Sequence, residues 1–325
     1  ILQQEYSKEE LLITQGNFNN DIGLPLTILR LNEKHKIAIL EMGMNHKGEI
    51  EELTRIAPPD IAVITNIGEA HIENFASKDE IAEAKKEILA NISNNSFVIL
   101  PRDDIYFEFL AKDISSTKIT TFGKSNKSDI SCDTKNNLIT RYFLSDKFLD
   151  AKCNLIGNHN TMNIMAAIGV AQTLEISINS IKKGIESFKG MPGRLEMKYA
   201  INGAIIIDDS YNSNPSSMMA AIDVLASHSR LHKILIIGDM AELGEQSQKL
   251  HNDIIKYIND SVISYTLAIG DEMQQPITNN IQCGSWHNSK ESLIKELRVV
   301  MKKDSALLVK GSRLMKMEEI INIII

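Results

Sequence analysis

Short runs of β-branched and aliphatic residues alternate with longer amphipathic stretches along the chain, and this alternation predicts its elements. Residues 36–40 (KIAIL), 61–65 (IAVIT) and the FVIL run before Pro101 are too short for helices and rich enough in Ile, Val and Leu for buried strands. AIII before Asp208, ILII before Gly238, TLAI before Gly270 and ALLV before Lys310 read the same way. Helical spacing fills the intervals. An apolar helix is entered at Pro25, and residues 48–56 form another that Pro58 and Pro59 break. Ser77 is a predicted N-cap with Glu80 at the capping-box position, and Ile81, Ala84, Ile88 and Leu89 form the stripe behind it. Residues 158–174 and 178–188 are two more helices, the second ending near Gly190. Strand, helix, strand in succession predicts an α/β fold with mostly parallel sheets covered on both faces.

The rhythm is interrupted twice. Residues 115–154 change to short β-prone pieces, KITTFG, SDISCD, NLITRYFL and KFLDAKCNL, separated by polar turns, which predicts an antiparallel side sheet. Residues 191–194 (MPGR) form a break suited to a hinge, and beyond Gly203 the rhythm resumes. Two doubly wound domains are therefore expected, 1–191 and 192–325, and 325 residues suffice for two cores.

Composition narrows the class. Hydrophobic residues at 43% and charged residues at 24% match an ordinary globular protein. A net charge of -7 argues against broad nucleic-acid binding. Cys132, Cys153 and Cys283 are odd in number and far apart, giving neither a disulfide framework nor a zinc spacing. No apolar run approaches a bilayer span, and the start, ILQQEYSKEELL, lacks the basic and apolar regions of a signal peptide, so the expectation is a cytoplasmic protein without a membrane partner. A monomer is the expected state.

In open parallel sheets, ligands collect beyond the carboxyl ends of the strands, so the residues found there are candidates. Glu41 follows the strand at 36–40. Asn17, Asn19 and Asn20 lie in a polar loop, where asparagines cap turns or present amides to a ligand. Lys85 falls inside an apolar stripe, whereas Glu83, Lys86 and Glu87 lie away from it. A buried-side lysine either snorkels its ammonium to the edge or, with its pKa lowered by burial, takes up carbon dioxide as a carbamate. A carbamate is an anionic oxygen ligand suited to Mg2+, and with Glu41 and His71 it could hold that ion beside nucleotide phosphates. His71 taken alone reads as a hydrogen-bonding loop residue before it reads as a metal ligand.

Further along, His159, Asn160 and Asn163 stand at a helix start, where they cap the backbone or receive a nucleotide. Arg194, just after Pro192-Gly193, could close on a phosphate or form an interdomain salt bridge. In DDSYNSNPSSM, Asn214-Pro215 reads as a helix cap, Asp209 could accept from ribose hydroxyls and Tyr211 could flank a base. In VKGSR, Lys310 and Arg313 around Gly311-Ser312 would anchor a substrate carboxylate or simply be solvated.

GNFNNDIGLP, EMGMNHKGEI, TNIGEAHIENF, AEAKKEI, GNHNTMN, MPGR, DDSYNSNP, GDMAELGEQS and VKGSR, in this order, resemble the Mur ligase family across almost the whole chain. The resemblance implies a central ATPase domain followed by a Rossmann-like carboxyl-terminal domain. It also implies the member activity that joins D-alanyl-D-alanine to UDP-N-acetylmuramoyl tripeptide with ATP and Mg2+, through an acyl phosphate. By the same resemblance Glu41 and His71 are metal ligands and Lys85 the carbamate, matching the family's Ala-Lys-x-Glu-Ile spacing. Asn160 and Asn163, with His159 beside them, contact the nucleotide. Arg194 and Asp209 contact phosphate and ribose, joined by Tyr211 and Asn212. Asn17, Asn19, Asn20, Lys310, Ser312 and Arg313 serve the substrates. The family's G-x-x-G-K-T/S phosphate loop does not occur in the sequence. The chain accordingly reads as a ligase truncated ahead of Ile1, starting inside a helix and without ATP turnover of its own. A folylpolyglutamate synthase-like ligase and a non-catalytic remnant of the fold are the competing expectations.

Overall fold

The computed structural model describes residues 1–68, 72–112, 114, 118–136, 139–144 and 147–325. His71 and the start of the predicted side sheet, Ser115, lie outside these residues. The chain forms two compact units, one of residues 1–68, 74–154 and 159–188, the other of 69–73, 155–158 and 189–325.

In the first unit the chain opens in two single 3-10 turns, Leu2–Gln4 and Lys8–Glu10, where the sequence led us to expect a helix tail. Strand β1 (Leu11–Ile13), helix α1 (Gly23–Ile28) and strand β2 (Ile37–Ile39) follow, and the two strands pair in parallel with Leu11 beside Ile37. Helix α1 starts two residues before Pro25, because the Asn20 side-chain oxygen already accepts the Gly23 N–H at 2.8 Å. Helix α2 (Glu49–Ile56) buries Ile50 and Leu53. Strand β3 (Ile61–Val63), helix α3 (Lys78–Lys86) and strand β4 (Phe97–Pro101) come next. The Ser77 side chain caps α3 by accepting from Glu80 N–H, as its spacing predicts, but the Glu80 carboxylate reaches the Ala76 N–H instead of that of Ser77.

Helix α4 (Phe107–Ala111) leads to strands β5 (Lys118–Phe122), β6 (Ile130–Asn136), β7 (Ile139–Leu144) and β8 (Lys147–Lys152). Strands β3 to β8 form one six-stranded sheet in sequence order. Its β3, β4, β5 and β6 pairs are parallel, and β6, β7 and β8 continue it as an antiparallel meander. The predicted side sheet is thus an extension of the main one, and KITTFG belongs to the parallel part. Helices α5 (Asn158–Thr173) and α6 (Ile178–Ser187) complete this part of the chain, burying Met165 and Ile168 and then Ile181 and Ile185.

The second unit is one six-stranded sheet covered on both faces. Its strands are β9 (Glu196–Tyr199), β10 (Ile205–Asp209), β11 (His232–Gly238), β12 (Tyr265–Ile269), β13 (Gly284–His287) and β14 (Ser305–Lys310), in the order β13-β12-β11-β14-β10-β9. All pairs are parallel except β9 with β10. Helices α7 (Pro215–Ser227), α8 (Ser247–Asn259) and α9 (Asp271–Asn280) pack against Leu235 and Ile237 on one face. Helices α10 (Lys290–Val300) and α11 (Glu318–Ile324) pack against Ile234 and Ile236 on the other. Alternation of side chains along a strand sends these neighbours to opposite faces, so a two-sided core needs a continuous apolar run. Every residue of β14 is buried, its terminal Lys310 included.

Candidate functional site

Each unit presents polar side chains at strand ends. In the first, Glu41 leaves the end of β2 with its carboxylate exposed, and the Asn19 side-chain amide donates to one of its oxygens at 2.8 Å. The Glu41 N–H donates to the Thr14 hydroxyl at 2.9 Å, and the Gly43 N–H to the Asn19 carbonyl at 2.8 Å. The three asparagines therefore divide. Asn20 caps α1, Asn19 aims Glu41, and the Asn17 carbonyl accepts the Asn19 N–H at 2.8 Å.

Lys85 is half-buried on α3, and its ammonium donates to the Asn66 carbonyl, just beyond β3, at 2.9 Å. Burial pushes its pKa below the ordinary lysine value, with Asp104 opposing that shift and Lys78 adding to it. Asp104 is itself fixed, accepting the N–H groups of Ile67 and Tyr106 at 2.9 and 3.0 Å. Lys86 next door is committed elsewhere. Its ammonium donates to the carbonyl of Phe109 at 2.7 Å and that of Lys112 at 3.3 Å, closing the carboxyl end of α4, and lies 4.6 Å from the Phe109 ring.

His71 lies outside the described residues. Among the described residues no group of three or more His, Cys, Asp and Glu side chains is spaced to hold a metal ion. Of the described residues, Glu41 offers an exposed carboxylate oriented by an amide, an oxygen donor that suits a hard cation, and Lys85 offers an amine whose neutral form burial favours, which would supply oxygen only as a carbamate. His159 and Asn160 lie in the first turn of α5 and Asn163 in the second, with His159 and Asn163 exposed and Asn160 half-buried.

In the second unit the turn at 191–194 packs onto the loop after β10. Gly193, at φ +69, takes a left-handed conformation that suits glycine, and its carbonyl accepts the Tyr211 N–H at 3.0 Å. The Arg194 guanidinium lies 4.2 Å from the Tyr211 ring centroid, a cation–π stack that leaves the arginine exposed. Leu195 is also left-handed, at φ +53, and its N–H donates to Asp209 at 3.1 Å.

The paired carboxylates have separate partners. Asp208 is buried and accepts from Lys198 at 2.6 Å and from the Ser210 hydroxyl at 2.6 Å. Asp209 accepts from Lys310 at 2.6 Å. The expected carboxylate anchor after β14 thus meets a different geometry: Lys310 is turned inward, and Ser312 is buried with its N–H on the Asp239 carbonyl at 2.9 Å. Arg313 is exposed and its guanidinium pairs with Glu318, while its N–H meets the Asn212 side chain at 3.4 Å. Lys198 escaped sequence reading because the short strand that carries it, EMKY, alternates polar and apolar residues too briefly to stand out.

A profile described as the Mur ligase middle domain matches residues 1–171, and one described as Mur ligase, glutamate ligase domain matches residues 193–313. A UDP-N-acetylmuramoyl-tripeptide--D-alanyl-D-alanine ligase of Haemophilus influenzae is 33% identical over 329 residues, covering 99% of this chain and 71% of that protein. The protein of the same name from Bacillus subtilis is 36% identical, covering 95% of this chain and 68% of its own length. Among solved structures, MurF from Acinetobacter baumannii superposes with a TM-score of 0.90 at 30% identity, over 97% of this chain and 70% of that one. MurF ligase from Thermotoga maritima in complex with ADP gives 0.85 at 28% identity, over 97% and 73%.

Proposed function

The chain belongs to the Mur ligase family, and from that premise we propose that its residues serve the ATP-dependent joining of D-alanyl-D-alanine to UDP-N-acetylmuramoyl tripeptide, a step in building peptidoglycan precursors. In this reaction the tripeptide's terminal carboxylate attacks the γ-phosphorus of ATP and releases ADP. The amine of the dipeptide then adds to the acyl carbon, the tetrahedral intermediate collapses, and phosphate departs as the amide forms. The observation that carries the reading at the level of geometry is the Asn19–Glu41 contact, which spends an amide on aiming an exposed carboxylate at a strand end.

Glu41 and Lys85, the latter as a carbamate, are the described residues that would hold Mg2+, with His71 as the third candidate. When bound, that ion offsets the negative charge gathered by phosphates and carboxylate. Lys86 is not an alternative carbamate, because its ammonium closes α4. Asn160 and Asn163 at the start of α5 are proposed nucleotide contacts of the first unit. In the second unit Asp209 takes ribose hydroxyls, Arg194 a phosphate, and Tyr211 and Asn212 border them.

The 325 residues include no G-x-x-G-K-T/S run, so we propose that this polypeptide by itself binds Mg2+–ADP without turning ATP over. Calorimetric titration of ADP with Mg2+ is expected to show saturable binding, and no ADP release with ATP, tripeptide and dipeptide together. Absence of binding would count against the nucleotide contacts. Release that needs both acceptor and donor would instead establish the ligase activity and remove the claim of inactivity.

A further inference from the structure

Lys310, which the sequence led us to expect as a substrate anchor, is instead a buried cation turned into the second unit. It ends the fully buried strand β14, is 2% exposed, and stands directly beside Asp209 in the parallel ladder. Its ammonium donates to Asp209 Oδ2 at 2.6 Å and to the Asn212 carbonyl at 2.9 Å. A lysine so desolvated is costly unless its partners are fixed, and here one cation grips both the acid and the loop that follows it.

Asp208 shows what a fully enclosed carboxylate looks like. It is 1% exposed, and the partly exposed Lys198, which also pairs with Glu196, and Ser210 take up its oxygens. Asp209 differs in one respect. An ionised carboxylate offers about four acceptor positions. Oδ1 takes the Leu195 N–H and Oδ2 takes Lys310, both from inside the unit, while the side chain remains 14% exposed. What is left is a carboxylate held from behind, with acceptor capacity for two hydroxyls side by side.

We propose that Lys310 is a positioning residue that fixes Asp209 to receive the vicinal hydroxyls of a ribose. The inference rests on the nucleotide contact proposed for Asp209. Lys310 touches no ligand. It sets the rotamer of Asp209, compensates its charge, and ties the Asn212 carbonyl to the same point.

The test compares ADP with 2′,3′-dideoxy-ADP, each titrated with Mg2+ into the full chain. The wild type should favour ADP by at least about tenfold, the value of hydrogen bonds to a charged acceptor. In Lys310→Met and Lys310→Gln, each checked for folding by circular dichroism and thermal melting, the preference should fall to within about twofold. Lys198→Met, which removes the cation of the neighbouring acid, should keep it. A folded Lys310 variant that retains the full preference overturns the proposal, as does an equal loss in Lys198→Met, which would mark a general loosening of the β10 end. A wild type that binds ADP without preference, or does not bind it, instead overturns the contact at Asp209 on which the inference rests.

Discussion

Burial of an amine costs its charged form more than its neutral form, so a lysine drawn into a protein titrates below its ordinary range. Lys85 is such a residue, and the sign of its effect on stability follows. With the folded pKa below the unfolded value of about 10.4, the unfolded chain binds more protons between the two, and stability rises with pH across that window. Below the folded pKa the contribution is lost. Lys85→Met should therefore stabilise the protein most at neutral pH, with the advantage shrinking toward pH ~10 in CO2-free buffer. Each unit of separation is worth about 1.4 kcal/mol, reduced by the water that reaches a half-buried amine. Urea unfolding at the two pH values measures it, and a gap that widens with pH would be incompatible with the burial argument. In labelled bicarbonate, a carbamate carbon resonance is expected from the wild type and not from the variant. The burial of the Lys85 amine was legible in the sequence, because that position falls on the apolar stripe of α3 and lies ~100° round the helix from Lys86. The work of Lys310 was not, since a lysine after a strand looks like a solvated rim residue until cross-strand register puts Asp209 beside it.

At the level of elements, helix starts were read well where the cap is local. Asn214 caps α7 with a reciprocal Ser217 contact and Pro215 in the first turn, all within four residues. Helix α9 has no side-chain cap from its own N-cap residue and borrows one across the sheet. The Asp239 carboxylate, beyond the end of β11, accepts the Glu272 and Met273 N–H groups at 3.2 and 2.9 Å. Its pKa is raised, chiefly by burial, while those two bonds pull it down. Gly270 makes the approach possible. It sits at φ +117, and a Cβ there would lie 2.2 Å from an Asp239 oxygen. Gly270→Ala should cost about 3 kcal/mol or more, from strain plus displacement of the cap, against roughly 1 kcal/mol for Asn214→Ala. Chemical denaturation of the two variants would show it; equal losses would mean that the borrowed cap contributes little. Such a cap joins residues more than thirty positions apart, beyond the reach of any local motif. Strands β1, β9 and β13 escaped for the opposite reason: at three or four residues each, they carry too little pattern.

For the whole molecule, the strand–helix rhythm announced α/β architecture but not strand order, which depends on which apolar faces meet after the helices have crossed over. The order β13-β12-β11-β14-β10-β9 places β14, last in sequence, between β11 and β10. Every strand in that sheet and every fully buried side chain of its two apolar clusters lies between residues 195 and 324. Ile72 and Ile156 only add to one cluster from its margin. A domain folds by itself when its own helices cover its own sheet, and residues 189–325 meet that condition. Expressed alone, this segment should unfold in one cooperative urea transition, with a slope in the range of about 1–3 kcal/mol/M expected of a single small domain. Because β14 closes the centre of the sheet, removing residues 305–325 should abolish that transition and leave a dye-binding, non-cooperative chain. A broad, gradual transition in the intact 189–325 segment would show that its two-sided core needs support from residues earlier in the chain.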